Sequence, residues 1–274
     1  MTSADVDAAT EVILRADWGD RRTWFEFATS QPECQPVLAT VDGEVVGTGV
    51  GTANGSVGWV GTIWVAPDRR GAGLGRALTQ AVIDRLESAG CESLLLVATV
   101  EGRRLYRRMG FELQTRYQIL EAPGLSAGEA GIHASVSVRP FEANDLGAMA
   151  ALDAAATGED RAHLLRRFAN PSSTKVALDA AGGIRGFVVR AAWGGGATIA
   201  DSDDVAMAIL TARRLTSGPT GRVRVGLVAD NVHGLAALER AGLHPVWTAP
   251  RMIRGAALTW RPDWIWGQFN HALG

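Results

Sequence analysis

The stretch from Val65 to Leu78, with the sequence VAPDRRGAGLGRAL, holds the residues best suited to chemistry. Three glycines precede an amphipathic helix here, at positions 71, 73 and 75. Because glycine has no Cβ, consecutive backbone N–H groups can turn into one concavity and approach a ligand closely. The first amides of a helix also lack intrahelical partners, and the helix dipole favours an anion there. With the added charges of Arg70 and Arg76, the stretch predicts a cradle for a diphosphate.

Two other phosphate-binding loops do not fit this stretch. A dinucleotide fingerprint needs GxGxxG after the first strand of a parallel βαβ unit, but Arg76 stands where its third glycine would be, and the loop follows an antiparallel meander. A Walker loop needs Gly-Lys-Ser/Thr, and no lysine is present here. The remaining alternative is a glycine-rich helix start that holds no ligand.

The periodicity of apolar residues predicts the elements that position the loop. Tight turns at Asp42-Gly43 and Asn54-Gly55 join three strands into an antiparallel meander. Leu74, Leu78, Val82 and Leu86 then form one apolar stripe of a helix. The predicted elements of the first half, in chain order, are helical residues 5–29, strands 37–41, 45–50 and 58–65, a helix from 74 that stops at Ala89-Gly90, a buried strand 93–98, a helix 102–109 and a strand 111–119. This order is typical of a mixed α/β domain that ends near residue 121.

Two motifs resemble those of the GNAT superfamily of acyl-CoA-dependent N-acyltransferases. The spacing Arg70-x-x-Gly73-x-Gly75 matches its (Gln/Arg)-x-x-Gly-x-(Gly/Ala) signature, and the sequence LYRRMGF, residues 105–111, resembles its LYxxxGF motif. Residues 37–119 also follow the family's order of elements. The resemblance implies a mixed, mostly antiparallel sheet flanked by helices, with acetyl-CoA as co-substrate and no metal.

The resemblance also implies roles for individual residues. The pyrophosphate would bind to backbone amides of the loop that follows Arg70. In this sequence these amides belong to Gly71, Ala72, Gly73, Leu74, Gly75 and Arg76. Pantetheine would pair with the preceding strand around Ile63, Trp64 and Val65, where that strand splays from residues 93–98. A backbone N–H on this strand would polarise the thioester carbonyl and hold the developing oxyanion.

Tyr106, in the LYRRMGF motif, matches the tyrosine that many family members use to protonate the departing CoA thiolate. A phenol with a pKa of about 10 is protonated at neutral pH and can donate to a basic sulfur. The alternative is an aromatic core residue between helix and sheet.

Other features depart from the family pattern or stay open. Neither Val100 nor Glu101 is the asparagine that often precedes this helix in the family, and the usual first strand is absent because the chain begins in a helix. For the general base, the candidates are Glu26, Glu44 and Glu101, but each is better explained as a solvated surface charge, so none is assigned. Two further groups have both a functional and a structural interpretation. The tryptophans could border the acceptor cleft or pack in the core, namely Trp18, Trp24, Trp59 and Trp64. The arginines could bind the CoA 3′-phosphate or form a solvated helix face, namely Arg103, Arg104, Arg107 and Arg108.

The second half repeats the pattern of the first without its cradle. We predict an acyl-CoA-binding catalytic domain at residues 1–121, a linker at 122–135 and a degenerate GNAT-like domain at 136–274. LERAGL at residues 238–243 echoes LYRRMGF, which indicates a diverged duplication. Asn231 stands where the family asparagine would be, but three acids precede the helix at 205–215 and would repel a diphosphate, namely Asp201, Asp203 and Asp204.

Composition limits the class of protein and of partner. The 274 residues carry a net charge of −2, with 47% hydrophobic and 20% charged residues, which is typical of a folded soluble protein. This balance predicts no nucleic-acid or membrane partner. The two cysteines, the acidic N-terminus and the lack of a long apolar run favour the cytoplasm. His163, His233 and His244 show no metal-ligand spacing.

The sequence therefore predicts an N-acetyltransferase that moves an acetyl group from acetyl-CoA to a primary amine of a small molecule by direct attack in a ternary complex. A homodimer is compatible with it. The alternative is a non-catalytic acyl-CoA-binding sensor or regulatory protein, which would need the cradle but no proton donor.

Overall fold

A computed structural model of the chain describes residues 1–15, 18–129, 136–191, 193 and 196–274. The chain forms two compact units, each a mixed α/β structure. The first unit comprises Met1–Glu112, Met252–Ala257 and His271–Gly274; the second comprises Leu113–Arg251 and Leu258–Asn270. The boundaries predicted at residues 121 and 135 stay predictions, and residues 130–135 of the predicted linker lie outside the described residues.

Within its described residues, the first unit contains four α-helices and four complete strands, in the order that the apolar periodicity predicts. The helices are α1 (Val6–Leu14), α2 (Arg22–Ser30), α3 (Leu74–Ser88) and α4 (Val100–Arg108). The strands are β1 (Cys34–Val41), β2 (Glu44–Asn54), β3 (Val57–Val65) and β4 (Ser93–Val97). β1, β2 and β3 pair antiparallel, and β3 pairs parallel with β4.

The packing of α3 on this sheet explains three glycines of β2. Gly47, Gly49 and Gly51 alternate along the strand, so all three lie on one face. A Cβ built on Gly47 would lie 2.8 Å from Leu78, and one on Gly51 would lie 3.0 Å from both Val82 and Leu86. These contacts are closer than van der Waals distance, so the helix stripe presses directly onto the bare backbone of β2. The position of α3, and with it that of the loop before α3, follows from this close approach.

Two short segments from the end of the chain complete the first unit. Residues Met252–Ala257 lie beside β4, where Ala256 N donates to Glu92 O at 3.0 Å and Ser93 Oγ donates to Ala256 O at 2.8 Å. Residues His271–Gly274 belong to the same unit, and Asn54 Nδ2 donates to Leu273 O at 2.8 Å. The first unit is therefore built from parts that are far apart in sequence.

The second unit repeats the alternation of strands and helices. Its helices are α5 (Leu146–Thr157), α6 (Ala162–Phe168), α7 (Asp203–Ser217) and α8 (Val232–Arg240). Its strands are β5 (Glu112–Pro123), β6 (Ser137–Pro140), β7 (Lys175–Leu178), β8 (Ile184–Val188), β9 (Thr198–Ala200), β10 (Arg222–Val228), β11 (His244–Gly255, whose last residues from Met252 belong to the first unit) and β12 (Ile265–Gly267). No helix within the described residues combines the length and hydropathy needed to cross a membrane.

The strands of the second unit form two sheet regions around one apolar core. One has the order β12-β9-β8-β7-β6, and the other has β11-β5-β10, with β5 and β10 antiparallel. Helix α7 presents Val205, Ile209 and Leu210 to this core, which also contains Leu227 and Trp266. The glycine at position 186 of β8 again allows close approach, since a Cβ there would lie 2.5 Å from Val205.

A buried ion pair lies beside the core of the second unit. Arg161 donates from Nε and Nη2 to the two carboxylate oxygens of Asp153 at 2.9 and 2.7 Å, and the two side chains are 2% and 1% exposed. Burial opposes the charge on Arg161, yet the carboxylates of Asp153 and Glu159 together raise its pKa above the ordinary value. The pair is thus a bidentate contact that water does not screen.

We expect Asp153→Ala to lower the free energy of unfolding by about 3–5 kcal/mol, because it leaves the guanidinium charge of Arg161 buried without its main partner. Equilibrium urea unfolding measures this loss. The control is Glu11→Ala, which removes an exposed ion pair with Arg15 and should cost about 1 kcal/mol or less. Equal losses in the two variants would contradict the importance of burial.

Candidate active site

The loop between β3 and α3 has the open geometry that its glycines require. A 3₁₀ turn, Pro67–Arg69, follows β3, and Gly73 then caps α3 in the left-handed conformation with φ of 84°. Gly71 adopts a similar φ of 83°. A Cβ built on either glycine would meet no atom within 4 Å, so both face open space. The turn is neither stretched nor covered by other side chains.

The backbone amides of this loop have no acceptor in the described part of the chain. The first helical hydrogen bond runs from Ala77 N to Gly73 O at 3.0 Å, and none of the N–H groups of residues 71–76 donates to a protein atom. The first turn of α3 holds no acidic residue and has no side-chain cap. Six consecutive N–H groups at the positive end of a fifteen-residue helix can therefore donate to an anion.

The side chain of Arg70 has a structural contact that the sequence does not reveal. Its Nε donates to Val65 O, the last carbonyl of β3, at 3.1 Å. This hydrogen bond ties the start of the loop to the end of the strand. The rest of the guanidinium is exposed and adds positive charge to the same corner.

Strands β3 and β4 separate as the resemblance implies. Their parallel pairing covers only Val57↔Ser93, Gly58↔Leu94 and Trp59↔Leu95. Residues 60–65 of β3 have no partner on β4, so one row of their backbone groups is left unpaired toward it. Ile63, Trp64 and Val65, predicted to pair with pantetheine, lie in this stretch.

A β-bulge interrupts β3 in the same stretch. Thr48 of β2 pairs with Trp64, and Val50 pairs with Gly61, so Gly49 alone faces both Thr62 and Ile63. Thr62 has φ of 54°, a strained value for a β-branched residue. The bulge turns the backbone of β3 at the point where it leaves β4.

Two hydrogen bonds hold the strained residue of the bulge. Trp24 of α2 donates from Nε1 to Thr62 Oγ1 at 3.0 Å, and the hydroxyl of Thr48 donates to Thr62 O at 3.0 Å. Trp24 is 5% exposed and stacks on Phe27 with ring centroids 5.8 Å apart. The rigid indole therefore fixes the bulge from the side of α2.

The C-terminal segment lies against the neighbouring residue of the bulge. A Cβ built on Gly61 would lie 2.2 Å from the Cβ of Ala272 and 3.3 Å from the carbonyl oxygen of His271. Burial, with the nearby charge of Arg21, lowers the pKa of His271 to about 4. This side chain is therefore a neutral imidazole at pH 7.

Tyr106 lies on the inner face of α4. It is 8% exposed and meets Phe111 edge to face with ring centroids 6.1 Å apart. A Cβ on Gly102 would lie 2.8 Å from the Tyr106 ring, so this glycine makes room for it. Burial raises the pKa of Tyr106 to about 12, and no protein atom among the described residues hydrogen-bonds its hydroxyl. The phenol is protonated and its hydroxyl is available to a ligand.

The remaining sequence candidates do not converge on one place. The carboxylates Glu26, Glu44 and Glu101 are all exposed, and they lie on three different elements. Among the other tryptophans, Trp59 and Trp64 are buried and Trp18 is partly exposed. In α4, the side chain of Arg103 is partly buried, and three arginines are exposed, namely Arg104, Arg107 and Arg108. Most of these side chains therefore serve packing or solvation.

Helices α4 and α8 each begin with a side-chain N-cap, although the asparagine expected before α4 is absent. Thr99 caps α4 and accepts a hydrogen bond from Gly102 N at 3.1 Å. Asn231 caps α8 in the same way, accepting from Gly234 N at 2.8 Å. The capping function is thus kept in both units with different side chains.

Among the described residues, the second unit has no equivalent of the cradle. Its helix α7 begins with Asp203 and Asp204 in the first turn, where the carboxylates favour the dipole but oppose a second anion. A cavity of about 590 Å³ lies at this end, lined by Asp203, Val232, His233, Ala236, Glu239 and Arg240. Within the described residues, no group of three or more His, Cys, Asp or Glu side chains is placed to hold a metal ion.

Sequence reasoning missed Thr62, Thr48 and His271. A threonine inside an apolar strand carries no sign of positive φ. The close approach of His271 to Gly61 joins residues that are more than 200 positions apart. The glycine at position 61, in the middle of a strand, was the one available signal of close backbone approach.

Comparison with known proteins matches both halves of the chain to one family. Residues 5–111 match the acetyltransferase (GNAT) family, and residues 149–267 match an acetyltransferase (GNAT) domain.

Two curated relatives match parts of the chain. An L-methionine sulfoximine/L-methionine sulfone acetyltransferase of Pseudomonas aeruginosa is 35% identical over 109 residues, covering 35% of this chain and 61% of the relative. A mycothiol acetyltransferase of Thermobispora bispora is 42% identical over 62 residues, covering 22% of this chain and 21% of the relative. The chain thus spans less than two thirds of the length of these relatives.

Solved structures share the fold over the whole length. A structure from Pyrococcus horikoshii described as that of an acetyltransferase superimposes with a TM-score of 0.79 at 21% identity, covering 100% of this chain and 94% of that one. A tandem GNAT protein from the clavulanic acid biosynthesis pathway gives a TM-score of 0.62 at 14% identity, covering 94% and 97%. The open amide loop, the splayed strands and the two family matches lead to one conclusion: the chain belongs to the GNAT acetyltransferase family and carries two GNAT domains in tandem.

Proposed function

We propose that the first unit transfers an acetyl group from acetyl-CoA to a primary amine of a small molecule, by direct attack in a ternary complex. The observation that carries this proposal is the row of six backbone amides at residues 71–76, for which the described part of the chain provides no acceptor. A diphosphate matches this row in charge and in number of acceptor oxygens.

The residues present fit acetyl-CoA, which would supply the activated acetyl group as a thioester. The cradle would hold the pyrophosphate, with Arg76 and the free part of Arg70 adding charge. The unpaired backbone of β3 from Val60 to Val65 would pair with the amide groups of the pantetheine arm. Fixing both ends of the cofactor in this way lowers the entropic cost of the reaction.

The bulge at Thr62 would direct a backbone N–H of β3 toward the thioester carbonyl. A donor fixed before the reaction stabilises developing negative charge without reorganisation, an effect worth about 10²–10³ in kcat. Trp24 and Thr48 act here as positioning residues, because they hold Thr62 and do not themselves reach the reacting atoms in this proposal.

Tyr106 would then donate its proton to the departing thiolate. Its hydroxyl is protonated and has no hydrogen-bond partner among the described residues, so it could donate to a ligand.

The names of the curated relatives support a small-molecule acceptor. Both relatives are acetyltransferases named for small molecules, and one of them aligns over 109 residues. The second unit would contribute to the fold without catalysing a reaction of its own. Asp203 and Asp204 lie in the first turn of α7, where a diphosphate would have to bind.

The first test of the cradle is Ala72→Asp. A carboxylate among the loop amides should raise the Kd for acetyl-CoA at least tenfold, because two like charges a few ångströms apart repel by more than about 1.4 kcal/mol near a protein surface. Ala72→Asn is the matched control of the same size and should change the Kd little. Isothermal titration calorimetry distinguishes them, and equal affinities would contradict a pyrophosphate site at this loop.

The test of the proton donor is Tyr106→Phe. We expect kcat to fall by about 10²–10⁴ while the Kd for acetyl-CoA is unchanged, measured by CoA release against an amine library. Because the pKa of Tyr106 is about 12, ionisation of this group should remove no activity between pH 7 and 10. Binding of acetyl-CoA without turnover of any amine by the unaltered protein would favour the regulatory alternative.

The test of the bulge is a pair of substitutions at Thr62. Thr62→Val keeps the shape but removes the acceptor for Trp24, so kcat should fall about tenfold or more with little change in the Kd for acetyl-CoA. Thr62→Ser keeps the hydroxyl and should retain most of the activity. A loss of the same size in both variants would show that the hydrogen bond does not position the strand.

A further inference from the structure

We propose that the second unit carries a built-in substitute for a cofactor arm: its own residues 262–268 fill the slot that pantetheine is proposed to occupy in the first unit. We call these residues the strap; they comprise the 3₁₀ turn Pro262–Trp264, strand β12 and Gln268. The inference rests on the proposed function, since the role of the equivalent slot in the first unit is part of that proposal. Its consequence is that the chain binds one acyl-CoA and not two.

The slot is located by comparing the two strands that lead into the helices of 15 residues. In the first unit that strand is β3, which precedes α3, and its last residues have no partner on β4. In the second unit it is β9, Thr198–Ala200, which ends two residues before α7 begins. Counted back from the strand ends, β9 therefore corresponds to residues 63–65, the stretch where pantetheine is proposed to pair.

Strand β12 occupies the edge of β9 that corresponds to the open edge of β3. One edge of β9 pairs with β8, just as one edge of β3 pairs with β2. The other edge of β9 pairs antiparallel with β12, with Ile199 opposite Ile265 and Thr198 opposite Gly267. The edge that lacks a strand partner at residues 60–65 of β3 is thus covered in β9 by the strap.

The strap also fills the space between β9 and β10, the counterpart of β4. Among the described residues β9 and β10 belong to different sheets, and β12 lies against both. Trp266 of β12 is 3% exposed and packs in the same apolar core as Val225 and Leu227 of β10. Ile265 is also 3% exposed. A cofactor arm could enter here only by displacing these two buried side chains.

The asparagine at the start of α8 binds the strap. Asn231 stands where the family's asparagine would be, and it is 1% exposed. Its Oδ1 accepts from Gly234 N at 2.8 Å and caps the helix, while its Nδ2 donates to Asp263 O at 3.0 Å. One side chain therefore both caps α8 and anchors a backbone carbonyl of the strap.

A strand is a suitable substitute for the amide-containing arm of the cofactor. Both offer N–H and C=O groups that can pair with an open strand edge. The pairing of the strap extends beyond β12, since Gly196 N donates to Gln268 O at 3.2 Å. Because the strap belongs to the same chain, a free cofactor would compete with a partner of high effective concentration.

The first experiment locks the strap on β9 with an engineered disulfide. A Cβ built on Gly267 would lie 3.4 Å from the Cβ of Thr198, close to the separation of about 3.5–4.5 Å found across disulfides. We expect the double variant Thr198→Cys/Gly267→Cys to form the bond on mild oxidation, which mass spectrometry under non-reducing conditions detects. Isothermal titration calorimetry should then give one acetyl-CoA per chain, with the same Kd in the oxidised and the reduced form. The single variant Gly267→Cys is the control for the added side chain.

The other outcomes of this experiment overturn different statements. Two acetyl-CoA molecules bound per chain in either form would show that the strap does not block a second site, and would overturn the inference. Failure of the disulfide to form would overturn the position of β12. Absence of binding in both forms would instead contradict the cradle at residues 71–76, and with it the proposed function on which the inference rests.

The second experiment tests the anchor of the strap with Asn231→Asp. The carboxylate keeps the acceptor for Gly234 N but removes the donor to Asp263 O. We expect the backbone amides of Ile265–Gly267 to exchange with deuterium about fivefold faster or more, while exchange at Gly234 changes little. Equal acceleration at both places would indicate loss of the helix cap or of the whole unit, and would overturn the role of Asn231 as the anchor.

Discussion

The row of unpaired amides at residues 71–76 is the constraint on which the proposed function of this protein depends. Backbone N–H groups that face a concavity at a helix start gain most when an anion accepts from them. Among the described residues no such acceptor is found: the first turn of α3 has neither an acid nor a side-chain cap. The loop is also held in place from both sides, by Arg70 on the last carbonyl of β3 and by α3 on the glycines of β2. The amides are therefore fixed before any ligand arrives, which reduces the cost of binding.

The two GNAT domains share a fold but differ in the residues at the start of one helix. Helices α3 and α7 each have 15 residues and follow a strand of the sheet, but one begins with open glycines and the other with two aspartates. The helix dipole would favour an anion at the N-terminus of α3. At α7 the carboxylates of Asp203 and Asp204 already compensate the same dipole. A few side chains at one helix end thus distinguish two structurally related domains.

Sequence patterns predicted the local features of the fold because those features depend on neighbouring residues. The stripe of α3, the hairpin turns and the glycine loop all follow from periodicity or from the conformational needs of a few adjacent positions. The contact between Trp24 and Thr62 does not, since it joins residues 38 apart through the packing of a helix on a strand. The predicted alternatives for the tryptophans show the same limit: sequence alone does not separate Trp24, which holds the bulge, from Trp59, which is fully buried in the core. For Tyr106 the motif predicted a proton donor, with an aromatic core residue as the alternative; the structure shows a buried ring whose burial raises the pKa of the phenol, and the role as a donor stays a prediction.

The contributions from the end of the chain connect the site to residues beyond the first family match. Gly61, in the bulged region of β3, packs against Ala272, and β4 is bordered by residues 252–257. A side chain at position 61 would overlap the C-terminal segment. Residues 271–274 can therefore follow their course only because Gly61 has no Cβ. The strained φ of Thr62 costs free energy that the surrounding contacts must offset. Because part of those contacts comes from the last four residues, the geometry of the proposed oxyanion-binding strand is a property of the whole chain and not of residues 5–111 alone.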